Sequence, residues 1–173
     1  MTIHTGHPFQ PPEPERDPVR RFRGRAASPV SVITAGHGES RAGLTVSSFL
    51  VADGDPAAVL ALIDPDSELA DAVRSTGRAV VNLLSWSHHQ LADAFGYVAP
   101  APGGPFRLAR WSDSDWGPVL ADAPTWAGCR LAERPARTVG WALEFELLIE
   151  SVHVAGGDTD PLLHQRGRYR RLG

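Results

Sequence analysis

Gly43-Leu44-Thr45-Val46-Ser47-Ser48-Phe49 is the stretch on which the fold turns. Read outward, Leu44 to Val51 has strand character interrupted by small hydroxyl residues, and alternation sends the Thr45 and Ser47 side chains one way and Ser48 the other. The preceding Val30-Ser31-Val32-Ile33-Thr34 is short and β-branched, a second strand closed by the turn Ala35-Gly36-His37-Gly38. Downstream, Asp53-Gly54-Asp55-Pro56 marks a turn, and Ala57 to Ile63 is an apolar run of strand length with both faces covered.

A helix is expected from Ser67 as N-cap through Arg74, with Gly77 beyond its end. Ala79 to Leu84 returns to strand. Ser87 is read as the cap of a second helix, His88 to Phe95, ended by Gly96. Further strands follow at Trp126–Glu133 and Trp141–Val154. In the latter Trp141, Leu143, Phe145 and Leu147 share a face, and the apolar run Leu147-Leu148-Ile149 calls for a bulge or a two-sided stretch. Leu162 to Leu172 forms a final strand or tail. A short helix over 18–27 would use Val19, Phe22 and Ala26, with Pro29 stopping it. Strands outnumber helices and do not alternate regularly with them, which disfavours a doubly wound sheet and favours a mainly β barrel with two or three short peripheral helices.

The chain has 173 residues, enough for one core. Residues 1–17 are polar and proline-rich, read as a flexible arm, and 18–173 as the domain. A net charge of −3 without a long charged block argues against nucleic acid or an anionic membrane as partner. Arginines gather at both ends, Arg20 to Arg25 and Arg166 to Arg171, as solvated or interface residues or as phosphate contacts. The single cysteine, Cys129, excludes an intrachain disulfide and a multi-cysteine metal site, and its strand context makes it a buried small hydrophobe. No apolar segment reads as a signal peptide or a membrane span, so a cytoplasmic setting is expected.

Several segments, in order, resemble the flavin reductase family with the FMN-binding split-barrel fold. They are Gly43 to Phe49, Asp55-Pro56 with the strand ending at Ile63-Asp64, Ser75 to Ser85 around Val80-Val81-Asn82-Leu83, Gln90 to Phe95, Pro118-Val119-Leu120, Cys129-Arg130, and Pro161 to Tyr169. The resemblance covers about residues 18–172. It implies a six-stranded Greek-key split barrel and a homodimer holding FMN or FAD. It also implies hydride transfer from NADH or NADPH, with the reduced flavin released to a partner flavin-dependent monooxygenase.

The resemblance also implies a cofactor site at Thr45, Val46, Ser47, Ser48, Asp64, Ser67, Arg78, Phe95, His164 and Tyr169. The chemistry fits in part. Thr45 and Ser47 offer hydroxyls, Val46 and Ser48 backbone groups, and Gly43 room for close approach to a ring. The helix N-terminus after Asp64-Pro65-Asp66-Ser67 offers free amides for a phosphate, but three acids surround it, so a guanidinium from Arg41, Arg74 or Arg78 is required. Phe95 either packs near the flavin or holds its helix, and Asn82 satisfies backbone groups. His164 is either a flavin or nicotinamide contact or an exposed strand residue.

One departure matters. Relatives carry Gly-Asp-His-x-x-x-x-Gly-Glu in the long strand, where this chain reads Gly140-Trp141-Ala142-Leu143-Glu144-Phe145-Glu146-Leu147-Leu148. Trp141 either stacks on a ring or fills the gap. Two other readings therefore stand beside the reductase: a split-barrel protein binding flavin, haem or a deazaflavin without efficient NAD(P)H oxidation, and a barrel that has lost its cofactor.

Overall fold

The computed structural model describes residues 17–157 and 159–172. The expected arm over 1–17 lies outside them except for Asp17. Its carboxylate accepts from the Val19 amide at 2.6 Å and starts helix α1, Pro18–Arg25. That helix forms where expected, yet it buries none of its residues, and Phe22 is 81 % exposed.

The strands are β1 Ser28–Pro29, β2 Ser31–Ala35, β3 Ala42–Val46, β4 Phe49–Ala52, β5 Ala58–Ile63, β6 Arg78–Leu83, β7 Trp111–Ser114, β8 Gly117–Leu120, β9 Thr125–Leu131, β10 Arg137–Val139, β11 Ala142–Val154, β12 Leu163–Gln165 and β13 Arg168–Arg170. Helices α2, Glu68–Thr76, and α3, His89–Phe95, lie between them. The barrel is mainly β with short helices, and its sheet is built of eight strands rather than six. The segment expected as one strand from Leu44 to Val51 divides at Ser47-Ser48 into β3 and β4, and β10 adds a hairpin partner to β11.

That division closes the barrel. The sheet runs β3-β2-β6-β9-β11-β5-β4, so β3 and β4 are its two edges. Six steps of about 4.8 Å would hold the edges of a flat sheet nearly 30 Å apart. The link from Val46 to Phe49 spans at most about 11 Å. The sheet must curl until its edges approach, and the Ser47-Ser48 seam is where they meet. The Leu62 amide donates to Ser48 O at 2.9 Å, fixing the seam to β5.

Curling gives the sheet two covered faces. Ile33, Val46, Phe49, Ile63, Phe145 and Leu147 fill the interior, closed by Leu69 and Val73 of α2. Val30, Val32, Leu91, Phe95, Leu120 and Leu162 form a second cluster on the outer side, under α3. All five residues of β2 are therefore buried. In β11 the register slips between Ile149 and Ser151, so the irregularity falls at Glu150 rather than across the apolar run.

Local sequence explains the helices. Ser67 caps α2 by accepting from the Ala70 amide at 3.2 Å, and Gly77 leaves it at φ 65°. The expected cap Ser87 is corrected: Ser85 begins the 3-10 turn before α3, its amide donating to His88 Nδ1 at 3.1 Å. The tail expected over 162–172 is a hairpin, β12 and β13, turning at Arg166-Gly167 with both φ values positive, 53° and 73°.

Candidate cofactor site at the barrel seam

The backbone of β3 carries an open edge. The Leu84 amide donates to Val30 O at 3.0 Å, which makes Val30 and Leu84 a bonded pair of the β2–β6 ladder. Alternation along β2 then turns Ser31, Ile33 and Ala35 toward β3, where they meet Val46, Leu44 and Ala42. Gly43 and Thr45 point their amides and carbonyls away from β2. The Leu62–Ser48 bond sets the β4–β5 ladder the same way, so Ser47 faces away from it. Gly43, Thr45 and Ser47 thus present a row of backbone donors and acceptors at the seam. A planar ring with a hydrogen-bonding edge can pair with such a row.

The side chains of this row divide by role. Thr45 Oγ1 donates to Ala92 O in α3 at 2.7 Å, so its proton tethers the helix. With its proton on Ala92 O, the Thr45 hydroxyl is left to a cofactor as an acceptor only. Ser48 Oγ donates to Leu62 O at 3.0 Å and also belongs to the scaffold. Val46 is buried in the interior, and its carbonyl accepts from Ser31 Oγ at 2.9 Å. Ser47 is half-buried, and among the described residues its hydroxyl has no hydrogen-bond partner. Ser47 is the hydroxyl of the quartet still able to donate.

Gly43 is small for a different reason from the one expected. A Cβ there would stand 2.6 Å from Cε1 of Phe95. Phe95 is 0 % exposed and meets Phe106 and Trp111 edge-on at centroid distances of 4.9 and 5.6 Å. Of the two readings of Phe95, the packing favours the one in which it holds α3 to the core. Asn82 behaves as expected: Nδ2 donates to Val32 O at 3.1 Å, and Oδ1 accepts from the Leu120 amide at 2.9 Å.

The phosphate residues do not converge. Ser67 Oγ donates to Asp64 O at 2.7 Å besides capping α2, and Asp64 Oδ1 accepts from the Asp66 amide at 2.9 Å. Arg78 follows the other end of α2, about 13 Å along the helix from Ser67. Its guanidinium lies 3.4 Å from Glu150, which also takes Arg130 Nε at 3.2 Å and Trp116 Nε1 at 2.7 Å. The Trp116 bond, then Arg78 and Arg130, hold the Glu150 carboxyl below its usual range. Arg74 pairs with Asp71 at 3.2 Å, and Arg41 lies over the Phe106 ring at 4.5 Å. Glu150, the hub of this network, gave no sequence signal beyond standing at the end of an apolar run.

His164 and Tyr169 face each other across the β12–β13 hairpin, ring centroids 6.0 Å apart. Burial, then the Arg23 guanidinium, depress the His164 pKa, so the ring is neutral at pH 7. Burial and the Asp93 carboxylate, to which the phenol is hydrogen-bonded, raise the Tyr169 pKa. His164 is a half-buried hairpin residue, not an exposed one, and Tyr169 ties the tail to α3. Cys129 is fully buried, its thiol pushed up to about 12 chiefly by burial.

The departure at the start of β11 has a structural counterpart. Trp141 is 98 % exposed at the β10–β11 turn and, among the described residues, neither fills a gap nor stacks on a ring. Glu144 pairs with Arg137 at 2.9 Å and Arg134 at 3.1 Å, and Arg134 also holds Glu146. The Arg137 bond leads in holding the Glu144 carboxyl below its usual range. An ion-paired lattice of Arg134, Arg137, Glu144 and Glu146 occupies this part of β11.

Fold and seam define a split-barrel protein, and solved structures agree. The flavin reductase PheA2 matches with a TM-score of 0.79, 22 % identity and coverage of 91 % of this chain and 99 % of that one. The NADH:FAD oxidoreductase SgcE6 of Streptomyces globisporus, in complex with NAD and FAD fragments, matches with a TM-score of 0.78, 21 % identity and coverage of 90 % and 91 %. In sequence, the NADH-dependent FMN reductase AsuE2 of Streptomyces nodosus subsp. asukaensis is 30 % identical over 162 residues, 92 % of this chain and 86 % of the relative. The FMN reductase (NADH) RutF of Methylorubrum populi is 34 % identical over 155 residues, 88 % and 74 % of the two chains. Residues 23–173 match the flavin reductase like domain, and the chain belongs to that family.

Proposed function

We propose that this protein is an NAD(P)H:flavin oxidoreductase that reduces FMN or FAD and releases it to a partner monooxygenase. The observation that carries the reading is the seam: an open backbone row at Gly43, Thr45 and Ser47 with one uncommitted hydroxyl, Ser47, beside it. These groups match the polar edge of an isoalloxazine ring. A bound flavin supplies the hydride acceptor, and the chain's part is to place that ring and exclude competing geometries. Ser47 donates to the ring edge, the Gly43 and Thr45 backbone fixes its register, and Thr45, Ser48 and Phe95 hold the row rigid. The amides opening α2 are the proposed phosphate seat, with Ser67 and Asp64 shaping that turn.

Two further points belong to the proposal. The outer side of β4 and β5 presents Leu50, Leu60 and Leu62, bordered on β11 by Leu148 and by the ion-paired Glu146 and Glu144 opposite Leu60 and Leu62, an apolar patch with a charged rim suited to a second copy of the chain. A homodimer is therefore proposed. A cytoplasmic setting is proposed too; among the described residues no helix is long and apolar enough to cross a membrane.

Rapid anaerobic mixing with NADH and FMN tests the activity: loss of the oxidised-flavin absorbance at a protein-dependent rate is expected. A second reading, a flavin-binding barrel without efficient NAD(P)H oxidation, is favoured by Ala142 and the pinned Glu144 and Glu146. It predicts that FMN binds but is not bleached.

A further inference from the structure

A second concavity lies away from the seam. A groove of about 540 Å³ runs between α3, the 3-10 turn Pro105–Leu108 and the loop after β8. That volume falls in the range, about 300–1,000 Å³, of sites for organic ligands rather than bare ions.

Its charge is built in one direction. Arg107 and Arg110 line it, and among the described residues neither pairs with a carboxylate. The one acid of the lining, Asp122, stands 3.4 Å from His88 Nε2. The Ser85 amide donates to His88 Nδ1 at 3.1 Å, which makes Nδ1 an acceptor and places the ring N–H on Nε2, toward Asp122. Asp122 is thus oriented toward the histidine; its carboxylate keeps its charge, and two guanidiniums against one acid leave the lining net positive. Arg107 is also positioned: it passes over Gly103, where a Cβ would stand 2.8 Å from its Cδ and 3.2 Å from Nη1. Gly103, at φ 79°, opens the space in which the arm lies. Ser87 and Gln90 add a hydroxyl and an amide to the wall.

We infer that this groove seats the phosphates of a nucleotide-sized ligand, with Arg107 and Arg110 on the phosphoryl oxygens and Ser87, Gln90 and Asp122 on its hydroxyls. Guanidinium forks match phosphate oxygens in pairs, the reason two of them in one groove select a phosphate over a neutral polar ligand. Resting on the reductase reading, the occupant is the adenosine diphosphate end of the hydride donor. Helix α3 borders both sites, since Ala92 holds Thr45 while Gln90 and Leu91 line the groove. Such a seat gives the chain a hold on a dinucleotide that does not depend on the missing Asp-His pair.

Calorimetric titration of the full chain with ADP-ribose and, separately, with inorganic phosphate tests this in wild type, Arg107→Ala and Arg110→Ala, with FMN affinity measured alongside. The expected result is ADP-ribose binding that falls about tenfold or more in each variant, the loss of one charge-assisted contact, at unchanged FMN affinity. Absence of ADP-ribose binding, or equal binding in all three proteins, overturns the proposal. So does binding of inorganic phosphate alone, which marks an adventitious ion only. A matching loss of FMN affinity overturns it by assigning the groove to the flavin. Failure of the reductase reading shows separately, as flavin that NADH does not bleach while ADP-ribose still titrates.

Discussion

Gly43 and Phe95 are fitted to each other: a Cβ on the glycine would meet the phenyl ring at 2.6 Å. The pairing links the open edge of β3 to the core of α3, so pressure at one is felt at the other. Gly43→Ala is expected to cost about 1–3 kcal/mol, the usual penalty for overpacking a filled site. Denaturant unfolding checks the value. Phe95→Ala removes the ring and is expected to cost about 3–5 kcal/mol. The double variant is expected to be no less stable than Phe95→Ala alone, because the clash partner is gone.

Thr45 and Ser47, two residues apart on one strand, are expected to respond in opposite ways. Thr45→Val removes one of two donors to the Ala92 carbonyl, which keeps the Gly96 amide, and is expected to cost about 0.5–1.5 kcal/mol. Ser47→Ala breaks no bond within the chain and is expected to shift stability by less than about 0.5 kcal/mol. Its effect should appear in FMN affinity, read by quenching of flavin fluorescence. A stable Thr45→Val protein would show that the tether contributes nothing.

Ser67→Ala removes a helix cap and is expected to cost about 1 kcal/mol of stability. FMN affinity is expected to hold, because the hydroxyl is already shared between Ala70 N and Asp64 O and the phosphate seat is made of backbone amides. Parallel unfolding and FMN titration separate the two effects. A drop in FMN affinity would put the phosphate on the hydroxyl itself.

His164 sets an acid limb on stability. Its folded pKa lies below its unfolded value, near 6.5, so the unfolded chain takes up the proton first. The contribution is fully present above the unfolded pKa and is lost as pH falls through the folded one. Unfolding free energies measured across the weakly acidic range are expected to fall with pH in the wild type. They are expected to fall less steeply in His164→Gln. Tyr169, whose folded pKa is raised, acts at the other end: its contribution is present below the unfolded value near 10 and is lost as pH climbs beyond it.

The legible parts of the fold were those fixed by short-range chemistry. The Ser67 cap, the Gly77 exit, the apolar run of β5 and the alternation of β11 are local patterns, and each formed. The break at Ser47-Ser48 was not legible, because it follows from closure: two strands that are neighbours in sequence must join opposite edges of one sheet. Ser85 displaced Ser87 as cap because a histidine three residues on can receive its amide, a pairing that composition does not rank. In the candidate site, strand alternation already put Gly43, Thr45 and Ser47 on one side of the chain, and the structure leaves the Ser47 hydroxyl without a partner among the described residues. The Thr45 hydroxyl and the Phe95 ring are engaged by α3, which packs against that side of β3, and the position of α3 is a tertiary fact. The Glu150 network and the Arg107–Arg110 groove join residues distant in sequence, and neither had a local signal.

The seam is the proposed seat of the flavin. Diffraction from crystals soaked with FMN tests it most directly. The polar edge of the isoalloxazine ring is expected within hydrogen-bonding distance of the Gly43, Thr45 and Ser47 backbone and of Ser47 Oγ. A flavin bound elsewhere, with that row left to solvent or to another strand, would contradict it.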